Sequence, residues 1–300
     1  MSSPASGSKS RRINQSPRSA SRERLFYVVM FLLPFVLLAS LEFGLRLVGF
    51  GGDYPLFVES ATVPGALEAN PEVAHRYMAT AGAPFATIEP MPFREKKTPN
   101  TYRIVVQGGS SAAGYPYGRW GGLAGMLEDR LEATFPAREV EVVTTAMAAV
   151  NSYTLADLAE EIVAITPDAV LIYAGHNEYI GTMGVGSGLT STSSQAEAQL
   201  LLKLRRIRLF QLIEWGMAKA RVVAMMFGDS RNKFFARAAS GAEIAYGSDI
   251  YRAGIAQFEA NLDRLLARYA EAGIAVYIGT LVSNEKGLAP FAGSPDETID

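Results

Sequence analysis

Apolar positions change their spacing along the chain, and each change marks a different kind of element. Residues 1–24 hold almost no large apolar side chain and are rich in Ser, Pro and Arg. They have no core to bury and are expected to be a disordered basic tail. From Leu25 to Leu41 the chain reads LFYVVMFLLPFVLLASL without a charge, and the run extends to residue 48 with Glu42 and Arg46 near its far edge. A helix of about 20 apolar residues crosses the hydrocarbon layer, so residues 25–48 are predicted to be a transmembrane helix. Pro34 is tolerated inside such a helix. The alternatives are a cleaved signal sequence and a buried core helix; the EFGLR that follows holds no clear small-x-small cleavage site. The basic flank of Lys9, Arg11, Arg12, Arg18, Arg22 and Arg24 places the N-terminus in the cytoplasm and the rest across the membrane. Residues 51–100 carry seven of the fifteen prolines and read as a Pro-rich linker or pre-domain segment.

From Tyr102 the spacing alternates between strand and helix. Short apolar runs at Arg103–Gln107, Glu139–Thr144, Ala169–Ala174 and Ile274–Thr280 predict buried strands. Trp120–Phe135, Leu155–Ile165 and Ile250–Ala272 have helical spacing between them. Such alternation predicts an α/β domain over residues 101–300, a three-layer flavodoxin-like parallel sheet with helices on both faces. Residues 182–249 interrupt the pattern as an insertion or lid. Within it Gly184–Ser194 is predicted to be a flexible loop. The helical stretch 196–225 carries Lys203, Arg205, Arg206, Arg208, Lys219 and Arg221, which suits a lid, a membrane-surface helix, a docking face or simply a solvated basic face.

Composition narrows the chemistry. The chain has no cysteine, which excludes disulfides, thiolate catalysis and Cys-based metal sites. A net charge of −2 gives no global signal for nucleic acid. No carboxylate cluster has metal-ligand spacing, and no phosphate-loop or dinucleotide fingerprint is present, so neither metal nor cofactor is expected. The only histidines are His75 and His176.

Open parallel sheets place their chemistry beyond the carboxyl ends of the strands. Three segments fall there: GGSSAAG (Gly108–Gly114), TTAMAAVNSY (Thr144–Tyr153) and GHNEY (Gly175–Tyr179). The small residues of the first permit a sharp strand-to-helix turn, where a serine stands at a helix N-terminus and free N–H groups can hold an oxyanion. A plain capped turn explains the same residues. The Asn177 amide can donate to an oxyanion, with Gly175 giving the backbone room, or can merely close a turn.

Taken together and in this order, the segments resemble the SGNH (GDSL-like) hydrolase superfamily, in particular bacterial envelope-associated members with an N-terminal membrane helix. GGSS stands where that family has G-D-S, and GHNE where it has G-x-N-D. The resemblance covers roughly residues 101–285 and implies a serine esterase, acylhydrolase or O-acyltransferase. Ser110 would be the nucleophile. The oxyanion hole would comprise the Ser110 N–H, a second-block N–H near Ala146, and Asn177. Gly109, Gly175, His176 and Glu178 would be supporting residues. An ester-bearing small molecule, glycan or lipid in the cell envelope is the implied substrate; protein partners are not indicated.

The sequence departs from the family pattern at Gly109 for Asp, at Glu178 for Asp and in a second block without glycine, where Ala146 or Met147 stands. Most important, the family's Asp-x-x-His block follows a fifth strand, and no histidine follows His176 here. The ending GSPDETID reads as a loop cut in mid-run, so the sheet is expected to be C-terminally incomplete and the chain inactive without its base. His176 as substitute base is disfavoured because neighbours at a strand end point to opposite sides. A non-catalytic envelope scaffold that keeps the fold is the rival reading.

Overall fold

The central strands are buried on both faces, and the alternate facing of their side chains sorts the helices into layers. The computed structural model describes residues 20–78, 87–187, 194–226 and 244–282. The tail up to residue 19, most of the Gly/Ser-rich loop and the closing GSPDETID lie outside the described residues. Two units divide after Phe50. Among its described residues the first contains one helix, α1 (Ala20–Leu47), which continues through Pro34. Its span from Arg22 to Leu47 is long and apolar enough to cross a membrane, with a mean hydropathy of 2.3 in its most apolar window; an N-terminal signal sequence passes the same test. Glu42 and Arg46, one turn apart, pair at 2.8 Å, so the two charges of this apolar stretch meet each other.

The second unit begins at Gly51. β1 (Phe57–Glu59), β2 (Ala66–Ala69) and β3 (Phe93–Arg94) form a small antiparallel sheet in that order. Then come β4 (Thr101–Gly108), the single turn α2 (Ser110–Ala113), α3 (Leu123–Thr134), β5 (Glu139–Thr144), α4 (Ser152–Ala164) and β6 (Ala169–Tyr173). α5 (Gln195–Leu204), α6 (Arg208–Met226), α7 (Asp249–Glu271) and β7 (Ala275–Ile278) follow. The main sheet is parallel, in the order β5-β4-β6-β7. This is the three-layer arrangement expected from the sequence.

Adjacent residues of each strand face opposite layers, as the two-residue period requires. Val105, Val143, Val170 and Ile172 point to one side, into a core with Leu155, Leu158 and Ile162 of α4 and Leu265 and Tyr269 of α7. Val106, Val142, Leu171 and Tyr173 point to the other, toward Ala124, Leu127 and Leu131 of α3. Each such aliphatic side chain contributes about 1.5–3 kcal/mol when fully buried.

Residues 51–100 are more than a linker. Leu56, Val73, Tyr77, Ile88 and Phe93 join the same core as Val105 and Ile172. Arg103 of β4 fixes them in place. It has no solvent exposure, and its guanidinium donates to Glu141 at 2.7 Å, the Ile165 carbonyl at 2.6 Å and the Arg94 carbonyl at 2.5 Å. It also stands 4.8 Å over the Phe93 ring. The basic stretch 196–225 is likewise only partly a solvated face. Lys203, Arg206 and Lys219 are exposed, whereas Arg205 is buried, paired with Glu214 at 2.8 Å and donating to the Tyr77 carbonyl. Arg208 is buried too and meets Asp53 at 3.0 Å. Arginine at these positions ties the insertion to the segment before the sheet.

Candidate active site

In the order β5-β4-β6, the chain leaves β4 toward β5 on one flank and returns to β6 on the other. Open parallel sheets take their ligands at such a reversal, which here falls at the carboxyl ends of β4 and β6. The two ends are in register, Gly108 opposite Tyr173. They approach so closely that a Cβ on Gly108 would lie 2.1 Å from the Tyr173 carbonyl oxygen, and only glycine fits.

The first segment leaves β4 through Gly109 and turns into α2, which is four residues long. One turn sums too few aligned peptide dipoles to act as the helix N-terminus expected from the sequence, so any anion binding there falls to individual N–H groups. The Ser110 N–H and hydroxyl have no acceptor or donor among the described residues, and Ser110 is half-buried.

The second segment continues from β5. Thr145 N–H donates to the Val106 carbonyl at 2.8 Å and Met147 N–H to the Gly108 carbonyl at 3.1 Å. Ala146 is buried, and its N–H faces the Thr144 hydroxyl at 3.3 Å. The expected second-block donor at Ala146 is therefore turned into the core, and Met147 is spent on the strand end. Three residues on, Ala149 adopts the left-handed region at φ 60°, where glycine is the usual occupant. Its N–H and that of Ala148 have no acceptor among the described residues, and Ala149 is half-buried. Asn151 then caps α4, its side chain accepting from Tyr153 N–H at 3.2 Å.

The third segment turns at Gly175, φ 141°, where a Cβ would meet Leu281 at 2.7 Å. The Asn177 side chain donates to the Val150 carbonyl at 3.0 Å. Its Nδ2 also stands 3.0 Å from where a Cβ on Gly109 would be, and Val150 O is 3.9 Å from the same point. Thr182 donates twice to the Ala149 carbonyl, from N–H at 2.9 Å and from its hydroxyl at 3.2 Å. The three loops thus meet around Gly109, the residue before Ser110. Asn177 Nδ2 carries two hydrogens, so the bond to Val150 leaves a second for another acceptor.

Glu178 is buried and turned away from this meeting point. Its carboxylate accepts from Ser152 N–H at 3.1 Å, Ser152 Oγ at 2.6 Å and Gln257 Nε2 at 2.5 Å. Asn261 of α7 donates to the same Ser152 hydroxyl at 2.8 Å. Burial raises the Glu178 carboxyl above its usual range, and the donors from Ser152 and Gln257 offset part of that rise. A carboxylate at the first turn of α4 also complements the helix dipole. Glu178 therefore holds the asparagine loop onto α4 and α7.

The histidines are placed elsewhere. His176 is exposed, edge-on to Tyr173 with ring centres 5.6 Å apart. His75 lies against Tyr54 at 5.1 Å, in the segment before the sheet. Neither forms a hydrogen bond with Ser110.

No family model matches the chain, and no curated protein matches it. Solved structures do. An esterase of the SGNH-hydrolase family aligns over 60% of this chain and 77% of its own, at 12% identity and a TM-score of 0.27. These values are 58%, 74%, 14% and 0.25 for an acetylxylan esterase from Geobacillus stearothermophilus. For a lipase/acylhydrolase from Enterococcus faecalis they are 58%, 74%, 18% and 0.24. All three are ester hydrolases.

Proposed function

We propose that this chain is a membrane-anchored serine ester hydrolase or O-acyltransferase of the SGNH type, with Ser110 as its nucleophile, working on the outer side of the bacterial inner membrane. The meeting of the Ser110 turn with Asn177 and the Val150 carbonyl around Gly109 carries the reading. In it the Ser110 oxygen attacks the ester carbonyl carbon, the carbonyl electron pair moves to oxygen, and that oxyanion is held by the N–H groups of Ser110 and Ala149 and by Asn177 Nδ2. Collapse expels the alcohol and leaves an acyl-serine, which water or a second alcohol then cleaves. A serine needs a base to lose its proton at neutral pH, and neither His75 nor His176 forms a hydrogen bond with Ser110. The 300-residue chain is accordingly expected to hydrolyse esters slowly, with a rate that climbs with pH and shows no inflection in the histidine range.

The test is covalent labelling of the detergent-solubilised chain with a fluorophosphonate, with peptide mapping of the adduct. Label on Ser110 that disappears in Ser110→Ala and rises with pH is the expected result. Label elsewhere, or ester hydrolysis unchanged in Ser110→Ala, rejects the assignment. The exposed His176 favours one second reading, a binding protein that keeps the architecture without the chemistry. Complete absence of label on a folded chain up to pH values near 9, where hydroxide can substitute for the base, selects that reading.

A further inference from the structure

The chain that leaves Ser110 makes a tight excursion and returns at once. Tyr115 N–H donates to the Ser110 carbonyl at 3.0 Å, and Tyr117 N–H to the Gly114 carbonyl at 2.7 Å. Gly114 is left-handed at φ 81°, and a Cβ there would stand 2.2 Å from Gly118 O and 2.5 Å from Gly122 N. Residues 114–122 therefore close into a loop whose neck is glycine backbone against glycine backbone. At helical rise this neck is about 6 Å from Ser110.

With its backbone turned inward, the loop shows its side chains to solvent. Tyr117 is 81% exposed, Trp120 68% and Tyr115 56%. They are held rather than loose. A Cβ on Gly121 would touch Tyr117 Cβ at 2.5 Å, so the Tyr117 stem rests on backbone. Arg119 N–H donates to Glu89 at 2.9 Å, the Arg119 guanidinium pairs with Glu128, and it stands 5.1 Å over the Trp120 ring. A fixed cation thus lies over one face of the indole, while much of the ring stays open to solvent.

Exposed aromatic groups gathered beside a reactive centre mark a contact surface. Two-torsion rings such as Tyr and Trp lose little entropy when a ligand lies on them. The loop reads GYPYGRWGG and holds no Leu, Ile, Val, Met or Phe. Sites for acyl chains are concave and lined by such apolar side chains. Convex rings with a phenol or indole N–H at the edge instead suit a ligand that is itself a ring with an apolar face and a hydroxyl rim. A sugar has that shape.

We propose that Tyr117 and Trp120 form a stacking platform for a sugar residue, so that the ester offered to Ser110 is carried on a glycan. The proposal rests on the reading of Ser110 as acyl acceptor for the ester, but the stacking itself needs no catalysis. The protein has two tryptophans, Trp120 and Trp215. In the full chain held in lipid nanodiscs, Trp215→Phe leaves Trp120 as the sole reporter. The probes are β-1,4-linked hexasaccharides of glucose, xylose and N-acetylglucosamine, each plain and O-acetylated.

Saturable change of Trp120 emission with at least one of them is expected. Tyr117→Ala should weaken that binding about ten-fold, the worth of one lost aromatic stack, while Tyr117→Phe and Ser110→Ala retain it. No saturable change at millimolar sugar overturns the proposal, as does equal loss in Tyr117→Phe and Tyr117→Ala. Quenching of Trp120 by brominated lipid in the discs also overturns it, because the loop would then be a membrane contact. Sugar binding that persists while Ser110 fails to label sinks the nucleophile and leaves the platform standing; labelled Ser110 without sugar binding does the reverse.

Discussion

Single residues decide whether three distant loops can form one site, and two of them were hidden in the sequence. Ala149 sits at φ 60°, which costs a non-glycine residue about 1–2 kcal/mol, and two bonds from Thr182 to its carbonyl hold it there. The run AMAAV gives no hint of which alanine turns left-handed, because the choice is made by a partner 33 residues away. A branched side chain is worse still in that region, so Ala149→Val is expected to lower the urea midpoint and the Ser110 labelling rate together, whereas Ala149→Gly preserves both. Glu178 was legible as part of the GHNE segment, but its partner Gln257 lies 79 residues on and was not. Its folded pKa is raised, so the folded state holds the proton more tightly than the unfolded chain. Its contribution to stability is full below the unfolded value of 4.5, declines as pH rises through the higher folded value, and is level above it. Glu178→Gln should flatten that decline in urea midpoints measured from about pH 4 to 8. An unchanged slope in the variant would assign the pH dependence to another group.

At the scale of elements, the parallel sheet was readable because its strands are short apolar runs buried on both faces, such as RIVVQ and AVLIY. α4 begins three residues earlier than its apolar spacing suggests, because Asn151 caps it and the polar Ser152 and Thr154 are themselves buried. The small sheet of β1, β2 and β3 leaves no mark in the sequence, for a different reason. Strands of two to four residues carry no period of their own and exist only through pairing, as Leu67 with Phe93. Backbone approach between elements is just as invisible to pattern. Gly108→Ala would press a methyl group into the Tyr173 carbonyl and is expected to cost about 1–3 kcal/mol by spreading β4 from β6. A thermal midpoint equal to that of the parent chain would show that the strand ends can separate freely.

For the molecule as a whole, the absence of cysteine turns topology into a direct measurement. Single cysteines at Ser8→Cys and at the exposed Glu132→Cys should report on opposite sides of the membrane if α1 stays uncleaved. A membrane-impermeant maleimide applied from outside is then expected to modify the second and spare the first; release of a shortened chain into the soluble fraction would favour a signal sequence. The second unit has its own device for wholeness. Arg103 binds β4, β5, the turn before β6 and the edge of the small sheet through one side chain shut off from water. Mobile ions cannot reach such a charge, whereas they screen exposed pairs such as Arg94 with Glu139. The seam between the two sheets should therefore hold equally well in dilute buffer and in concentrated brine, so that its strength is set by the fold and not by the medium.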